Sequence, residues 1–241
     1  MLILAFETSA KAASVALMDG ERLLAQSYQN TAMTHSQTLL VMAQELLRRC
    51  AVDPGAVEAV AVAAGPGSFT GVRIGVAAAK GFAWGRQIPC CGVSTLEAMA
   101  LTLGVSDGLV CPVMDARRSQ IYNALFQFDC GKCTRIREDR AISIQDLVED
   151  VQKMPGPIFL VGDGSVLCYN TMSEKIPSLV LPAEHRMHQQ AVGVGILASR
   201  KLAQGAACDA GALTPNYLRL SQAERERLER SREEKNVPAG R

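Results

Sequence analysis

Gly65-Pro66-Gly67-Ser68-Phe69-Thr70-Gly71-Val72-Arg73-Ile74-Gly75 follows the apolar run Val57–Ala63 and leads into a segment rich in small residues. Glycines and a proline packed this closely do not belong in a helix or strand interior, because glycine raises the entropy cost of ordering and proline removes a donor. The stretch is therefore a shaped loop between a strand and a helix. Ser68 and Thr70 are both suitable N-caps, and the helix behind them aims unpaired N–H groups back at the loop. Such a loop either holds an anion or is a plain structural turn. It matches neither common phosphate fingerprint. No Lys-Ser/Thr pair follows Gly71, and the spacing of Gly65, Gly67 and Gly71 is one residue too long for the dinucleotide pattern.

Upstream, Leu2–Phe6 is a short continuous apolar run suited to a strand buried on both faces. Ala13–Met18 is a second strand, and Asp19-Gly20 signals a hairpin into Arg22–Tyr28, so three antiparallel strands open the chain. Between the first two lie Glu7, Thr8, Ser9 and Ala10. Their carboxylate and two hydroxyls either coordinate a metal-bound phosphate or satisfy amides of their own loop. Over Ser36–Arg49, Leu39, Leu40, Ala43, Leu46, Leu47 and Cys50 recur at helical spacing and need an apolar partner. Asp53-Pro54 then starts the connection to Val57–Ala63.

Downstream, the spacing predicts a helix over Gly71–Gly85 in which Gly71, Gly75, Ala78 and Ala79 leave one side nearly bare. An internal glycine costs about 1 kcal/mol relative to alanine, so these positions point to a close approach, either to the chain's own sheet or to a helix of another chain. Strand Ile88–Val93 and helix Thr95–Leu103, capped by Ser94, complete a β-β-β-α-β-α unit and lead on from it. After a hinge at Gly104–Gly108 the pattern begins again. Strands Leu109–Met114, Gln120–Phe128 and Thr134–Arg137 precede a helix at Gln145–Val151 with a capping-box pair, Ser143 and Asp146. Strand Ile158–Val161, the loop Gly162-Asp163-Gly164 and a helix over Ser165–Glu174 finish it. Two similar halves argue for a duplicated α/β architecture. The expected parts are a first lobe over 1–106, a second over 107–188, an amphipathic helix over 189–204 that returns toward the first lobe, and an extended segment with a charged tail over 205–241.

The chain has 241 residues, 48% of them hydrophobic, and a formal net charge of +1. A protein gripping nucleic acid unaided shows a basic stripe, and none is visible, so any RNA is expected to be held through a partner. Met1–Phe6 meets Glu7 at once and is too short for a leader or a membrane span; no later run is long enough to span, and the expectation is a cytoplasmic protein without membrane contact. The eight cysteines read as reduced thiols. Cys50, Cys90, Cys91, Cys111 and Cys168 lie in apolar segments, where cysteine acts as a small core residue. Cys130-Gly131-Lys132-Cys133 has the spacing of a zinc half-site or a redox pair, but it falls between two strand-like runs and reads as a hairpin turn. His185 and His188 are close enough to share a ligand on one helical turn, yet they read as part of a solvated loop. No metal site and no cofactor are expected.

Several of these stretches together are similar to one family. Leu4-Ala5-Phe6-Glu7-Thr8-Ser9, His35-Ser36-Gln37, Gly65–Gly75, Asp115-Ala116-Arg117-Arg118, Gly162-Asp163-Gly164 and Pro215-Asn216-Tyr217-Leu218-Arg219 resemble the TsaB (YeaZ) family, the bacterial partner of the TsaD family in threonylcarbamoyladenosine synthesis on tRNA. The resemblance spans residue 4 to about 220, and Gly65–Gly75 is its specific part. It implies the two-lobed fold of actin, Hsp70 and sugar kinases. It also implies a non-catalytic subunit, because TsaD carries a metal-binding His-x-x-x-His that has no counterpart here: Leu39 follows His35 at that spacing, and His185 and His188 are one residue too close.

The implied role is a scaffold that binds and activates a TsaD homologue, helps recruit the ATPase subunit TsaE, forms a homodimer when alone, and meets tRNA only through the complex. The interface expected on this basis comprises Leu39, Leu40, Ala43, Leu46 and Leu47 of one helix with Gly71, Val72, Gly75, Ala78, Ala79 and Phe82 of the next. Gly75→Leu is then expected to abolish partner binding while leaving the fold intact. The other reading is a nucleotide-dependent phosphotransferase or ATPase, with a degenerate nucleotide or anion loop built from Glu7, Thr8, Ser9, Gly65, Gly67, Ser68, Thr70, Gly71 and Asp115.

Overall fold

Leu2–Glu7 (β1) is apolar on both sides because it runs through the middle of a sheet. It pairs antiparallel with Ala13–Asp19 (β2) and parallel with Ala59–Gly65 (β4). Arg22–Gln29 (β3) and Cys90–Ser94 (β5) close the two edges, giving the order β3-β2-β1-β4-β5. The computed structural model describes residues 1–31, 33–117 and 119–219; Arg118 and the charged run from Ser221 lie outside them. A second sheet repeats the plan. Gly108–Asp115 (β6) pairs with Gln120–Asp129 (β7) on one side and parallel with Ile158–Val161 (β9) on the other, while Lys132–Ser143 (β8) and the short Leu179–Val180 (β10) are the edges. The duplicated unit expected from the sequence is thus present twice, strand for strand.

Alternation along the strands divides the side chains between layers. Leu4 and Phe6 of β1 face His35–Arg49 (α1) and Phe69–Trp84 (α2). Ile3 and Ala5 face the opposite layer, formed by Ala191–Ala203 (α6) together with Ala98 of Thr95–Leu103 (α3). In the second sheet, Leu109, Cys111 and Val113 pack under Ile144–Val151 (α4) and Ser165–Met172 (α5). Val110 and Met114 meet Leu96, Met99, Ala100 and Leu103 of α3. Helix α3 is therefore the wedge shared by both lobes.

Several element boundaries differ by one or two residues from expectation, among them β5, α2, α5 and α6, and two departures have a clear physical cause. The strand predicted over Val57–Ala63 begins two residues later, because Asp53 caps a single 3-10 turn at Pro54–Ala56 and delays entry to the sheet. The strand predicted over Thr134–Arg137 extends to Ser143, since its polar residues lie along an exposed edge and need no apolar pattern to pair with β7. The Cys130–Cys133 stretch is a hairpin turn, as read, with Cys130 and Gly131 at positive φ. Cys130 is exposed, and Cys133 packs against the apolar layer of Phe126 and Phe128.

The expected interface needs a larger correction. Leu39, Ala43, Leu46 and Leu47 of α1, with Val72 and Ala79 of α2, are buried in the first lobe's own core. A Cβ at Gly71 would overlap the carbonyl oxygen of Thr8, and one at Gly75 would overlap the Thr8 hydroxyl and lie 3.2 Å from Val62 Cγ2. These glycines let α2 lie directly on β1 and its following loop, so the bare side of the helix faces its own sheet. Ala78 and Phe82 are half-buried at the margin of that core, and Leu40 alone of the expected set is fully outward. Gly75→Leu consequently bears on folding, and the expectation that it spares the fold does not stand.

Candidate functional site

The ends of β1, β4, β6 and β9 open onto a cleft of about 540 Å³ between the lobes. Its first-lobe wall is the loop Ser9-Ala10-Lys11 and the segment Pro66–Thr70; its second-lobe wall is Met114–Arg117, Tyr122 and Asp163. The two first-lobe loops are stitched together. Ser68 N–H donates to Ser9 O at 2.6 Å, and Thr8 Oγ1 donates to Gly71 O at 2.8 Å. Ser68 caps α2 by accepting from Gly71 N–H, whereas Thr70 lies inside the helix and caps nothing. Gly65, at φ +122°, lets the chain pass where a Cβ would overlap the backbone of Asn216.

Glu7 lies beneath the cleft lining, fully buried. Its Oε1 accepts from Ser9 N–H at 2.6 Å, while Oε2 has no partner. Burial pushes its carboxyl up to about 7, against the opposing pull of its bonds from Ser9. The carboxylate therefore satisfies an amide of its own loop. Asp163, across the cleft, is open to solvent along the groove but walled in elsewhere. That partial loss of hydration raises its carboxyl, with Gln189 Nε2 donating to it at 3.4 Å and Asp115 nearby. Of the expected anion loop, Ser9, Gly67, Ser68, Thr70 and Asp115 line the cleft; Glu7, Thr8 and Gly71 lie behind the lining, and Gly65 faces a different cavity.

A strap formed by residues 205–219 crosses the first lobe and reaches the cleft mouth. Lys80 Nζ donates to Gly211 O and Leu213 O, Asn216 N–H donates to Ala64 O, and Arg219 Nη1 donates to the carbonyls of Ala116 and Arg117 in the second lobe. Tyr217 stacks on Phe69 with centroids 4.9 Å apart, and Arg73 Nε donates to its hydroxyl. A second tie fixes the lobes. Arg135 reaches Glu97 and Asp139, each at 2.6 Å, and Ser94 Oγ donates to Asp139 at 2.6 Å. Sequence reasoning missed this latch, because its members come from distant segments with no shared pattern. The Pro215–Arg219 stretch was visible as extended, but nothing in it told which loops it would cross.

His35 opens α1, one residue before the stretch read as helical, with Nε2 at 2.7 Å from Ala10 O, tying α1 to the cleft loop. His185 lies in a 3-10 turn at Glu184–Arg186, short of His188. Among the described residues, three metal-ligating side chains converge only at Asp107, Asp129 and Cys130, all exposed.

The other candidate surface is the outer side of α1 and α2. Trp84 is 72% exposed, Val41 58% and Leu40 56%, with Met33 exposed just before the helix. On α2, Ala77 and Gly81 are exposed as well; a Cβ at Gly81 would meet nothing within 4 Å. Exposed apolar and small residues thus share the outer side of two helices whose expected interface residues, Leu40 apart, lie on the inner side or at its margin. The lone tryptophan at the helix end was the available signal.

A sequence profile of the family described as TsaD, tRNA N6-adenosine threonylcarbamoyltransferase, matches residues 24–227. The chain is 32% identical over 232 residues to the tRNA threonylcarbamoyladenosine biosynthesis protein TsaB of Bacillus subtilis, covering 95% of this chain and 99% of that one. It superposes with a TM-score of 0.74 and 29% identity on a Pseudomonas aeruginosa protein described as similar to peptidase YEAZ, covering 90% and 99% of the two chains. An activator of 2-hydroxyisocaproyl-CoA dehydratase from Clostridium difficile shares the fold alone, at a TM-score of 0.50 and 10% identity over 85% of this chain and 97% of that one. The architecture is the two-lobed α/β fold of the actin, Hsp70 and sugar-kinase type.

Proposed function

Since the chain belongs to the TsaB family, within the wider TsaD family, we propose that it is the non-catalytic scaffold of the complex that transfers threonylcarbamoyl from its adenylate to an adenosine beside the anticodon of tRNA. In this reading it binds a TsaD homologue and stabilises that enzyme's productive form, and the assembly recruits a TsaE homologue. The chain pairs with a second copy when alone and meets tRNA through the complex. The observation that carries the reading is the outer side of α1 and α2, on which Leu40, Val41 and Trp84 are exposed, as are the small residues Ala77 and Gly81. Exposed apolar groups of this size on helices that also expose small residues suit a helix-on-helix contact, where aromatic anchors contribute most.

The interface proposed here moves outward from the buried stripe to the opposite side of the same two helices. Leu40, Ala78 and Phe82 remain in or beside it. Titration of the purified chain with a TsaD homologue from the same source tests the reading, with ATP and Mg²⁺ titrated alone. Tight binding of the homologue is expected; heat from nucleotide without any from the homologue contradicts it. That second outcome belongs to the other reading, a nucleotide-dependent enzyme. It is favoured by the interlobe cleft, with Ser68–Thr70 at the N-terminus of α2 along one wall and Asp115 and Asp163 along the other.

A further inference from the structure

Outside the cleft and the helix face, one pair of reactive groups is set close together by backbone pairing. Cys90 opens β5, the edge strand of the first sheet, and Cys208 lies near the start of the strap. The two residues form an isolated antiparallel bridge, with Cys90 N–H donating to Cys208 O at 2.8 Å and Cys208 N–H donating to Cys90 O at 2.9 Å. A pair exchanging both bonds holds its Cα atoms about 5.5 Å apart, within the range that a disulfide spans without moving backbone. The side chains share one environment. Cys208 packs against the apolar cluster that contains Cys90, and its Sγ lies 3.5 Å from Cys90 O. Cys90 is buried and Cys208 half-buried, so one thiol is open to a small reagent and the other waits behind it.

We propose that Cys90 and Cys208 are a modification site, at which a low-molecular-weight disulfide oxidises the pair to an intramolecular disulfide that fastens the strap to β5. The Cys208 thiolate attacks one sulfur of the reagent, the reagent's S–S bond breaks, and one small thiolate leaves and takes up the proton lost from Cys208. The Cys90 thiolate then attacks Cys208 Sγ in the mixed disulfide. The second small thiolate leaves with the remaining proton, so two protein thiols are oxidised and one small disulfide is reduced to two thiols. Excess small thiol reverses both steps. The bridge would fix the root of the segment whose far end, Arg219, holds the second lobe.

The exchange is slow at neutral pH. Burial pushes the Cys90 thiol up to about 11 and raises Cys208 as well, with Asp209 adding to both and Lys80 opposing. Only the thiolate reacts, so the rate rises with pH from 7 to 9. The test incubates the full chain, natively folded, with excess oxidised glutathione at pH 8.5, blocks free thiols, and maps tryptic peptides without reduction. Peptide 87–117 joined to peptide 202–219 is expected, lost in Cys90→Ser and kept in Cys91→Ser. Cys208→Ser, altered at the half-exposed partner, must also lose it and serves where Cys90→Ser does not fold. A glutathione adduct that persists on Cys208, the absence of any cross-link in the unmodified chain, or a cross-link surviving in Cys90→Ser would overturn the proposal.

Discussion

The two lobes repeat one strand plan but clothe it differently. Helices α1 and α2 of the first lobe have 15 and 16 residues, while α4 and α5, their counterparts in the second, have 8 each. The short pair covers one face of its sheet and leaves only two aliphatic side chains, Val166 and Leu167 of α5, exposed among its large apolar residues. The long pair covers its sheet through Leu39, Leu46, Gly75 and Ala79, and still carries Leu40, Val41 and Trp84 on the far side. The difference is one of length and of kind: the longer helices carry an exposed aromatic, Trp84, on the side away from their sheet, where the short pair exposes only aliphatic groups. Small residues on the inner side bring α2 onto β1, and the proposed function assigns the bulky residues on the outer side to a partner.

The strongest way to break this comparison is to exchange the two sides of α2. Gly75→Leu is expected to lose about 3 kcal/mol or more, because added bulk at a close contact costs 1–3 kcal/mol even where neighbours yield, and here it meets Thr8 and Val62. Gly81→Leu on the outer side should change stability by no more than about 1 kcal/mol, in the favourable direction, through helix propensity. Urea unfolding midpoints of the two variants measure this directly.

The lobes differ next in their buried charge, since Glu7 of the first is fully enclosed and its counterpart position at the end of β6, Asp115, is exposed. A carboxyl raised from 4.5 to about 7 on folding favours the folded state most at pH below 4.5 and loses that contribution as pH rises through 7. Glu7→Gln should therefore leave stability nearly unchanged at pH 4.5 and raise it by up to about 3 kcal/mol at pH 8. Melting temperatures across this range should rise less steeply toward acid in the variant.

A smaller contrast lies in how the matching helices begin. Helix α4 has a full capping box, with Ser143 and Asp146 each accepting the other's backbone N–H, whereas Thr34 before α1 makes no side-chain cap. Ser143→Ala is expected to cost about 1 kcal/mol and Thr34→Ala close to nothing, as read from thermal unfolding.

Much of the fold was legible because it rests on local signals. Continuous apolar runs such as Leu2–Phe6 and Ile158–Val161 mark central strands, and Ser94 and Ser143 mark helix starts that the structure keeps. Residues 138–143 of β8 were missed because an edge strand buries little and so carries no apolar alternation. The candidate site was legible in part. Ser9, Gly67, Ser68 and Asp115 do converge on one cleft, but Arg135, Glu97 and Asp139 meet only through tertiary packing. Glycine at positions 71 and 75 announced a close approach without saying to what. Distance along the chain could not tell the sheet beneath from a partner outside.

The most direct measurement titrates a TsaD homologue against two double variants, each replacing exposed apolar residues by aspartate. Leu40→Asp with Trp84→Asp alters the first lobe's outer side; Val166→Asp with Leu167→Asp alters the exposed side of α5 in the second. All four positions are exposed, so both proteins should fold. Loss of a central anchor typically costs 2 kcal/mol or more, and the account predicts that the first pair weakens binding by roughly 30-fold or more while the second leaves it unchanged. Equal affinity for the first pair and the unmodified chain would contradict the claim that the long helices of the first lobe carry the partner surface.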